Sequence, residues 1–450
     1  MINRTLLQRL SEWRANKDRK PLVLRGARQV GKTTLVKIFS VQFEQFIHVN
    51  LEKKEDQDIF LEAENVSELI KTISFVKNKE SFLTKETLLF IDEIQEVPAA
   101  INQLRYFYEE IPQLYVIAAG SLLEMVLSKR LKFPVGRVFF IQVRPFSFEE
   151  FLIALNEENT LAALNEVPVE KYVHKKMLQL YHEYALVGGM PEVVTTYAKN
   201  RDPLQLSDIY DSLLVSYIDD IEKYSRNPNQ TQILRFLMNN FIQKAGERIT
   251  FGNFSNSNYK SREMGEAFRI LEKNQLLKLT YPTTAEKLPI TITKDRKPRL
   301  QVLDTGLVNY FSKIQHLLIT SDDLTNTYNG KIIEHLTGQE LLALNYSPLH
   351  TLSFWVQENA KANAEVDFIY PYKGKLIPIE VKSGKKGILK SLHIYMSRTN
   401  HKLAVRLYAG DIQIDTVQNQ GMEYYLMSLP YYLVFKIDQY LNWFENEINN

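Results

Sequence analysis

The sequence predicts an α/β protein of several domains. A parallel sheet around a phosphate-binding loop comes first, then a helical middle that includes a winged helix, then a second α/β domain. Three observations predict this. G-A-R-Q-V-G-K-T at residues 26 to 33 lies between an apolar run, Pro21-Leu22-Val23-Leu24, and a helix-like run, Thr34 to Phe39. A continuous apolar stretch, Thr87 to Ile91, ends in Asp92-Glu93. Far downstream, a helix and two strands carry Glu334, Asp367 and the tripeptide Glu380-Val381-Lys382.

Length and composition bound the rest. At 450 residues the chain is too long for one ordinary core, and a prior of ~150 residues per domain suggests about three. The boundaries expected are 1–160, 161–310 and 311–450. An apolar content of 45% and a charged content of 24% are those of a soluble globular protein. The formal net charge of +2 does not announce a nucleic-acid partner, so any such partner must be argued from local clusters. The absence of cysteine excludes disulfide frameworks, thiolate metal sites and cysteine nucleophiles. The charged N-terminus is no secretory signal, and no run approaches the ~18 apolar residues of a spanning helix. A cytoplasmic protein is expected.

The early motif fits G-x-x-x-x-G-K-[ST]. In that loop glycines let the backbone curl so that successive N–H groups point at phosphate. Gly26 and Gly31 would supply the curl, and the whole stretch Gly26, Ala27, Arg28, Gln29, Val30, Gly31, Lys32, Thr33 and Thr34 would line the nucleotide. Lys32 would reach the β- and γ-phosphates, Thr33 would ligate Mg²⁺, and the following helix would turn its positive end toward the anion. A plain glycine turn before a surface helix is the alternative, which the flanking strand and helix disfavour.

Taking the chain in order, Leu6, Leu7, Leu10 and Trp13 have helical spacing and predict a packing helix. Phe46 to Leu51 alternates as a strand, Ser67 to Val76 reads as a helix, and Thr87 to Ile91 suits a strand buried on both faces. Asp92 at its carboxyl end would hold Mg²⁺ through water, and Glu93 would polarise the attacking water. Tyr115 to Ala119 is another buried strand, ending in Gly120-Ser121. Ser121 sits where a side chain touches the γ-phosphate or the attacking water, or where a helix is capped. Phe133-Pro134-Val135-Gly136-Arg137 precedes a last strand, Val138 to Ile141. Arg137 there is either a finger for a neighbouring subunit's nucleotide or a surface arginine.

These residues resemble a known group. G-A-R-Q-V-G-K-T, L-L-F-I-D-E-I-Q, G-R-V-F-F-I-Q-V-R-P-F-S-F-E-E-F and G-G-M-P-E-V-V at 188 to 194 together look like the AAA+ ATPases that carry a C-terminal DUF4143 domain. The resemblance implies a core sheet ordered 5-1-4-3-2, with Lys32, Thr33, Asp92 and Glu93 as the working residues. Ser121 and Arg137 match the sensor and finger positions less distinctively.

Residues 147 to 225 read as helix-rich, with Val187-Gly188-Gly189-Met190-Pro191 as a helix stop of structural role. From 231 to 310 the order is helix (Ile233 to Phe241), short helix (Phe251 to Ser255), helix (Arg262 to Asn274), then strands at Leu276 to Tyr281 and Arg299 to Leu303. Three helices and a hairpin suggest a winged helix. Lys294, Arg296, Lys297 and Arg299 around Asp295 would make its wing basic, which suits phosphate or a protein surface.

The last third holds a second constellation. Glu334 lies on a helix from Ile332 to Leu344, Asp367 follows the strand Leu352 to Trp355, and Glu380 and Lys382 share one face of a strand through its period of two. Asp367, Glu380 and Glu334 would cage one or two Mg²⁺ or Mn²⁺ ions, and Lys382 would orient water for phosphodiester cleavage. The pattern resembles the PD-(D/E)XK nuclease fold; a relic of that fold, with Glu380 and Lys382 merely paired, is the alternative. Lys373, Lys375, Lys382, Lys385, Lys386, Lys390 and Arg398, with Tyr372 and Tyr395 among them, form a stripe that suits a phosphate backbone. The aromatic-rich residues 423 to 447 would cover a sheet edge or a partner surface.

The expected function is therefore ATP hydrolysis with Mg²⁺, coupled to a module that binds nucleic acid, DNA in particular, and cleaves it with metal. The rival is a non-catalytic switch that recruits a protein or nucleic-acid partner, and a small-molecule kinase ranks third. No membrane is expected. Oligomeric state stays open, because a finger at Arg137 needs a neighbouring copy and a monomer would leave it idle.

Overall fold

In the computed structural model, residues 1–3, 82–83, 122–133, 135, 223–224, 316–326, 358–363, 383, 385–388, 420 and 450 lie outside the described part. That excludes Phe133 and Val135 of the loop before Arg137, and Lys385 and Lys386 of the basic stripe. The described residues group into two compact units. The first holds residues 1–145 with the short segments 273–275 and 346–349, and the second holds the remainder.

The first unit is built on five parallel strands: β1 (Leu22–Arg25), β2 (Gln45–Asn50), β3 (Thr87–Asp92), β4 (Tyr115–Gly120) and β5 (Phe139–Gln142). They lie in the order β2-β3-β4-β1-β5, which is the order the resemblance implies, counted from the other edge. Residues of β3 are buried along its whole length. Such a strand is covered on both faces by helices, which is why it reads as a continuous apolar run. Val23, Val49, Leu89, Ile91 and Ala118 meet Leu69, Ile70, Ile101 and Leu104 in one core cluster. Each such side chain contributes roughly 1.5–3 kcal/mol by leaving water. The helix predicted near the N-terminus is α1 (Leu6–Ala15), which buries Leu6, Leu10 and Trp13. The Trp13 ring meets Tyr115 edge-on at 6.0 Å.

The second unit begins with helices. Phe148–Ala154 starts in a capping box: Ser147 accepts from the Glu150 N–H, and Glu150 reaches back to the Ser147 N–H. His174–Val187 ends at Gly188, whose φ of 72° is open to glycine and strained for other residues. Downstream, Pro228–Met238, a 3₁₀ turn at Phe254–Asn256 and Ser261–Lys273 precede an antiparallel pair, β6 (Leu277–Thr280) and β8 (Arg299–Val302). The first of these helices starts earlier than the apolar spacing indicates because Asn227 caps it, accepting from the Gln230 N–H.

Three further strands, β7 (Pro282–Thr283), β9 (Phe354–Val356) and β10 (Glu365–Val366), form a small sheet ordered β10-β9-β7. The largest sheet runs β11-β12-β13-β15-β14, with β11 (Phe368–Tyr372), β12 (Lys375–Val381), β13 (Leu403–Tyr408), β14 (Gln413–Asn419) and β15 (Met422–Pro430). Its three middle strands are parallel and both edges antiparallel. Trp355, Leu376, Tyr395, Ala404, Tyr424 and Leu426 share its core. Tyr431, Tyr432, Tyr440 and Phe444 are also buried, so much of the aromatic run after 423 is core.

Candidate functional site

In the first unit the chemistry gathers at the carboxyl edge of the sheet. β1 ends at Arg25 and the motif loop follows, reaching Gly31 at φ 89°, where the helix Lys32–Phe39 begins. Gly26 has no room for a Cβ, which would lie 2.5 Å from the Val143 carbonyl oxygen. Lys32 is buried, and its Nζ donates to the carbonyls of Gly26 at 3.0 Å and Ala27 at 2.8 Å, so the loop curls around the lysine. Burial pushes the Lys32 ammonium down to about 8, against the opposing pull of Glu93 and Asp92. Anionic oxygens arriving in the curl would favour the charged form further.

Asp92 closes β3 beside this loop. Its Oδ2 accepts the Thr33 hydroxyl at 2.8 Å and its Oδ1 accepts the Glu93 N–H at 3.1 Å. Glu93 itself sits at φ 50°, a left-handed conformation uncommon for residues other than glycine. Burial raises its carboxyl above the ordinary range, and Gln95 Nε2 donates to it at 2.5 Å. Ser121, directly after β4, is buried, and its hydroxyl has no hydrogen-bond partner among the described residues. The donor set fits Mg²⁺ with a triphosphate: a hydroxyl and a carboxylate in contact, a lysine, a curl of N–H groups and an orphaned hydroxyl.

Arg137 lies elsewhere. It precedes β5 at the amino end of the parallel sheet, opposite the loop, and its Nε pairs with Glu109 at 3.0 Å. One residue that sequence reasoning missed is His48 on β2. Its ring stacks between Phe46 and Phe90, and Nε2 comes within 3.5 Å of Asp92 Oδ2. The signal was available in the period of two that puts residues 46, 48 and 50 on one face of the strand.

In the second unit the structure brings together Glu334, from the helix Thr327–Ala343, Asp367, between β10 and β11, Glu380, on β12, and Lys382, just after it. It also brings two residues the sequence reading placed elsewhere or passed over. Arg299 on β8 is only 8% exposed; its Nη1 pairs with Glu334, and its Nη2 pairs with Glu365 and lies 3.8 Å from Asp367. Nη1 also donates to the Asp367 carbonyl at 3.0 Å. Lys382 Nζ donates to Glu380 at 2.6 Å, and Asp367 accepts the Val381 N–H at 2.8 Å. Burial pushes the Glu334, Asp367 and Glu380 carboxyls up, while Arg299 and Lys382 pull the other way.

Two expectations are corrected here. Arg299 is no exposed wing residue, because its strand faces it into the carboxylates and its guanidinium sits 4.6 Å from the Phe354 ring centre. Tyr372 and Tyr395, which lie among the lysines of the stripe, are both buried, and the Tyr395 hydroxyl donates to the Leu376 carbonyl. Lys373 and Lys375 pair with Glu445, which offsets part of the stripe. The carboxylates also do not fit the divalent ion expected of them. Among the described residues no group of three or more His, Cys, Asp or Glu side chains is disposed to hold a metal, and a guanidinium fills the space between Glu334 and Asp367.

Comparison with known proteins agrees with this division. Residues 18–152 match the family described as an AAA domain, and residues 178–317 and 329–432 match two domains of unknown function, DUF8612 and DUF4143. The first is thus an AAA+ P-loop ATPase domain, and the chain carries a distinct DUF4143 domain at its C-terminal end. An uncharacterized protein of Haemophilus influenzae is 23% identical over 242 residues, 52% of this chain; the match spans about half of that relative, 54%. Among solved structures, a Walker-type ATPase of Pyrococcus abyssi is 17% identical and covers 69% of this chain and 96% of its own, with a TM-score of 0.41. The Orc1 protein of Aeropyrum pernix in complex with DNA is 13% identical, covering 68% and 91%, with a TM-score of 0.30. The RuvB Holliday junction branch migration motor of Thermotoga maritima is 15% identical, covering 65% and 93%, with a TM-score of 0.28. Among the described residues no helix is long and apolar enough to cross a membrane.

Proposed function

We propose that this ATPase uses its nucleotide state as a switch on a C-terminal module of PD-(D/E)XK type that engages nucleic acid without cutting it in its resting form. The observation that carries the ATPase half is the contact of Thr33 with Asp92 beside a buried Lys32. Lys32 and the loop N–H groups would hold the phosphates, and Thr33 and Asp92 would hold Mg²⁺. The ion would offset charge on the β- and γ-oxygens. Glu93, kept basic and buried next to Asp92, accepts the proton of the attacking water. Ser121 orients that water or the γ-phosphate, and Arg137 serves a neighbouring copy if the protein assembles.

Support for nucleic acid is electrostatic. Lys294 and Lys297, in the segment before β8, and Lys390 are exposed, and such groups contact phosphates. A second reading, a switch that recruits a protein partner, is favoured by the ion pairs of Lys373 and Lys375, which leave less free charge for a polynucleotide.

The test is Glu93→Gln. Phosphate release should fall by roughly 10²–10⁴-fold, the range a general base supplies, with ATP affinity retained. Labelled DNA should then bind the ATP-loaded variant and the nucleotide-free protein with different affinities. Unchanged turnover removes Glu93 from its role, and DNA binding indifferent to nucleotide and to salt supports the protein-partner reading.

A further inference from the structure

We infer that Arg299 is the resident cation of the C-terminal carboxylate cluster, a guanidinium seated where a divalent metal would otherwise bind, so that metal is shut out while Arg299 is in place. The inference goes beyond the ATPase reading and does not depend on it.

The geometry is that of a filled site. Arg299 bridges two carboxylates with separate nitrogens, Nη1 to Glu334 and Nη2 to Glu365, and its Nη1 also donates to the backbone of Asp367. A planar fork suits that bridging where a point charge would not. Phe354 and Phe368 flank the guanidinium, at 4.6 and 5.9 Å from its central carbon. Lys382 occupies Glu380, and Arg248 takes the other oxygen of Glu365 at 3.1 Å. Three fixed positive groups thus face four carboxylates. A divalent ion entering between Glu334 and Asp367 would have to displace the guanidinium or sit beside its charge in a poorly solvated place. Two carboxylate oxygens of the cluster, Glu334 Oε1 and Glu380 Oε2, are buried without a hydrogen bond among the described residues, and the first of them is already in ion-pair contact with Arg299.

The arrangement also gives Arg299 a structural task. It joins β8, at the end of the basic segment, to the helix Thr327–Ala343 and to β10, all within the second unit. Without the guanidinium, Glu334, Glu365 and Asp367 would be left close together with little compensation. Such a site either unfolds, takes up protons or captures another cation.

The experiment is a Mn²⁺ titration of the nucleotide-free full chain in a Thr33→Ala background, which removes the metal site of the ATPase domain. Bound Mn²⁺ is read by electron paramagnetic resonance and stability by thermal melting. With Arg299 intact, no bound ion that Asp367→Asn abolishes should appear up to millimolar Mn²⁺. Arg299→Met should melt lower, bind one Mn²⁺ per chain at least roughly tenfold more tightly, and regain melting temperature as Mn²⁺ is added. Arg299→Lys, which keeps the charge but not the fork, should fall between them. Asp367-dependent Mn²⁺ binding to the Arg299 protein would overturn the inference, and so would a folded Arg299→Met protein that ignores Mn²⁺. If Arg299→Met does not fold, the titration of the Arg299 protein and of Arg299→Lys decides.

Discussion

Ser121 carries a hydroxyl without a partner among the described residues, although the side chain is buried at the end of a central strand. An unsatisfied buried hydroxyl costs on the order of 1–3 kcal/mol, so a purely structural residue at this place would be better as alanine. Ser121→Ala is therefore expected to hold or raise the melting temperature while lowering ATP turnover. A calorimetric melt and a phosphate-release assay on the same preparation check both halves; a lower melting temperature with unchanged turnover would return Ser121 to packing. At this scale the sequence was most legible where the chemistry is local. Lys32 and Thr33 announce themselves within one motif, and Asp92-Glu93 follows a strand whose apolar run is plain. Arg299 was misread because the partners that define it, Glu334, Glu365 and Asp367, lie 35 to 68 residues away, beyond any local pattern. With basic neighbours at 294, 296 and 297, its own surroundings suggested a surface.

The G-G-M-P turn, read from sequence as a helix stop, is more tightly built than a stop requires. Gly188 and Gly189 let the chain pass against Asp304 and Phe146: a Cβ at 188 would lie 2.3 Å from Asp304 Oδ1 and one at 189 would lie 2.2 Å from the Phe146 carbonyl oxygen. The Gly189 N–H donates to Asp304 at 2.6 Å, and the Phe146 N–H donates back to the Gly189 carbonyl at 2.7 Å. Gly189→Ala must push backbone apart here, so it should destabilise the second unit by about 3 kcal/mol or more, seen as an earlier denaturant midpoint. Elements of this kind were half legible. Glycine and proline mark the turn, but what it packs against depends on Phe146 and on Asp304, the latter 115 positions away. The P-F-S-F-E-E-F stretch is similar: its capping box is a local pattern, whereas the carboxylate of Glu340 that accepts the Phe148 N–H at 3.1 Å is not.

Over the whole molecule, the parallel sheet follows from regular βα alternation while its strand order was legible only through the family resemblance, and the later sheet was readable only as scattered strands because antiparallel edges flank its parallel centre. The second unit also buries charge-bearing groups that make its stability depend on pH. Burial pushes Glu340 up to about 8 from an ordinary 4.5, although Tyr184 and the Phe148 N–H resist it. The folded state therefore keeps a proton that the unfolded chain loses, and stability falls as pH rises between those values, by up to about 1.4 kcal/mol per unit from this residue. His335, buried and pushed down to about 4, contributes the opposite slope below 6.5. Glu340→Gln isolates the first effect: relative to the parent protein it should gain stability steadily from pH 5 to pH 8 in denaturant titrations, and a constant difference would contradict the raised carboxyl. Arg299 bears on the molecule differently. A counter-ion written into the polypeptide is supplied at translation, so metal starvation leaves this unit whole, whereas one altered codon strands several acids at once.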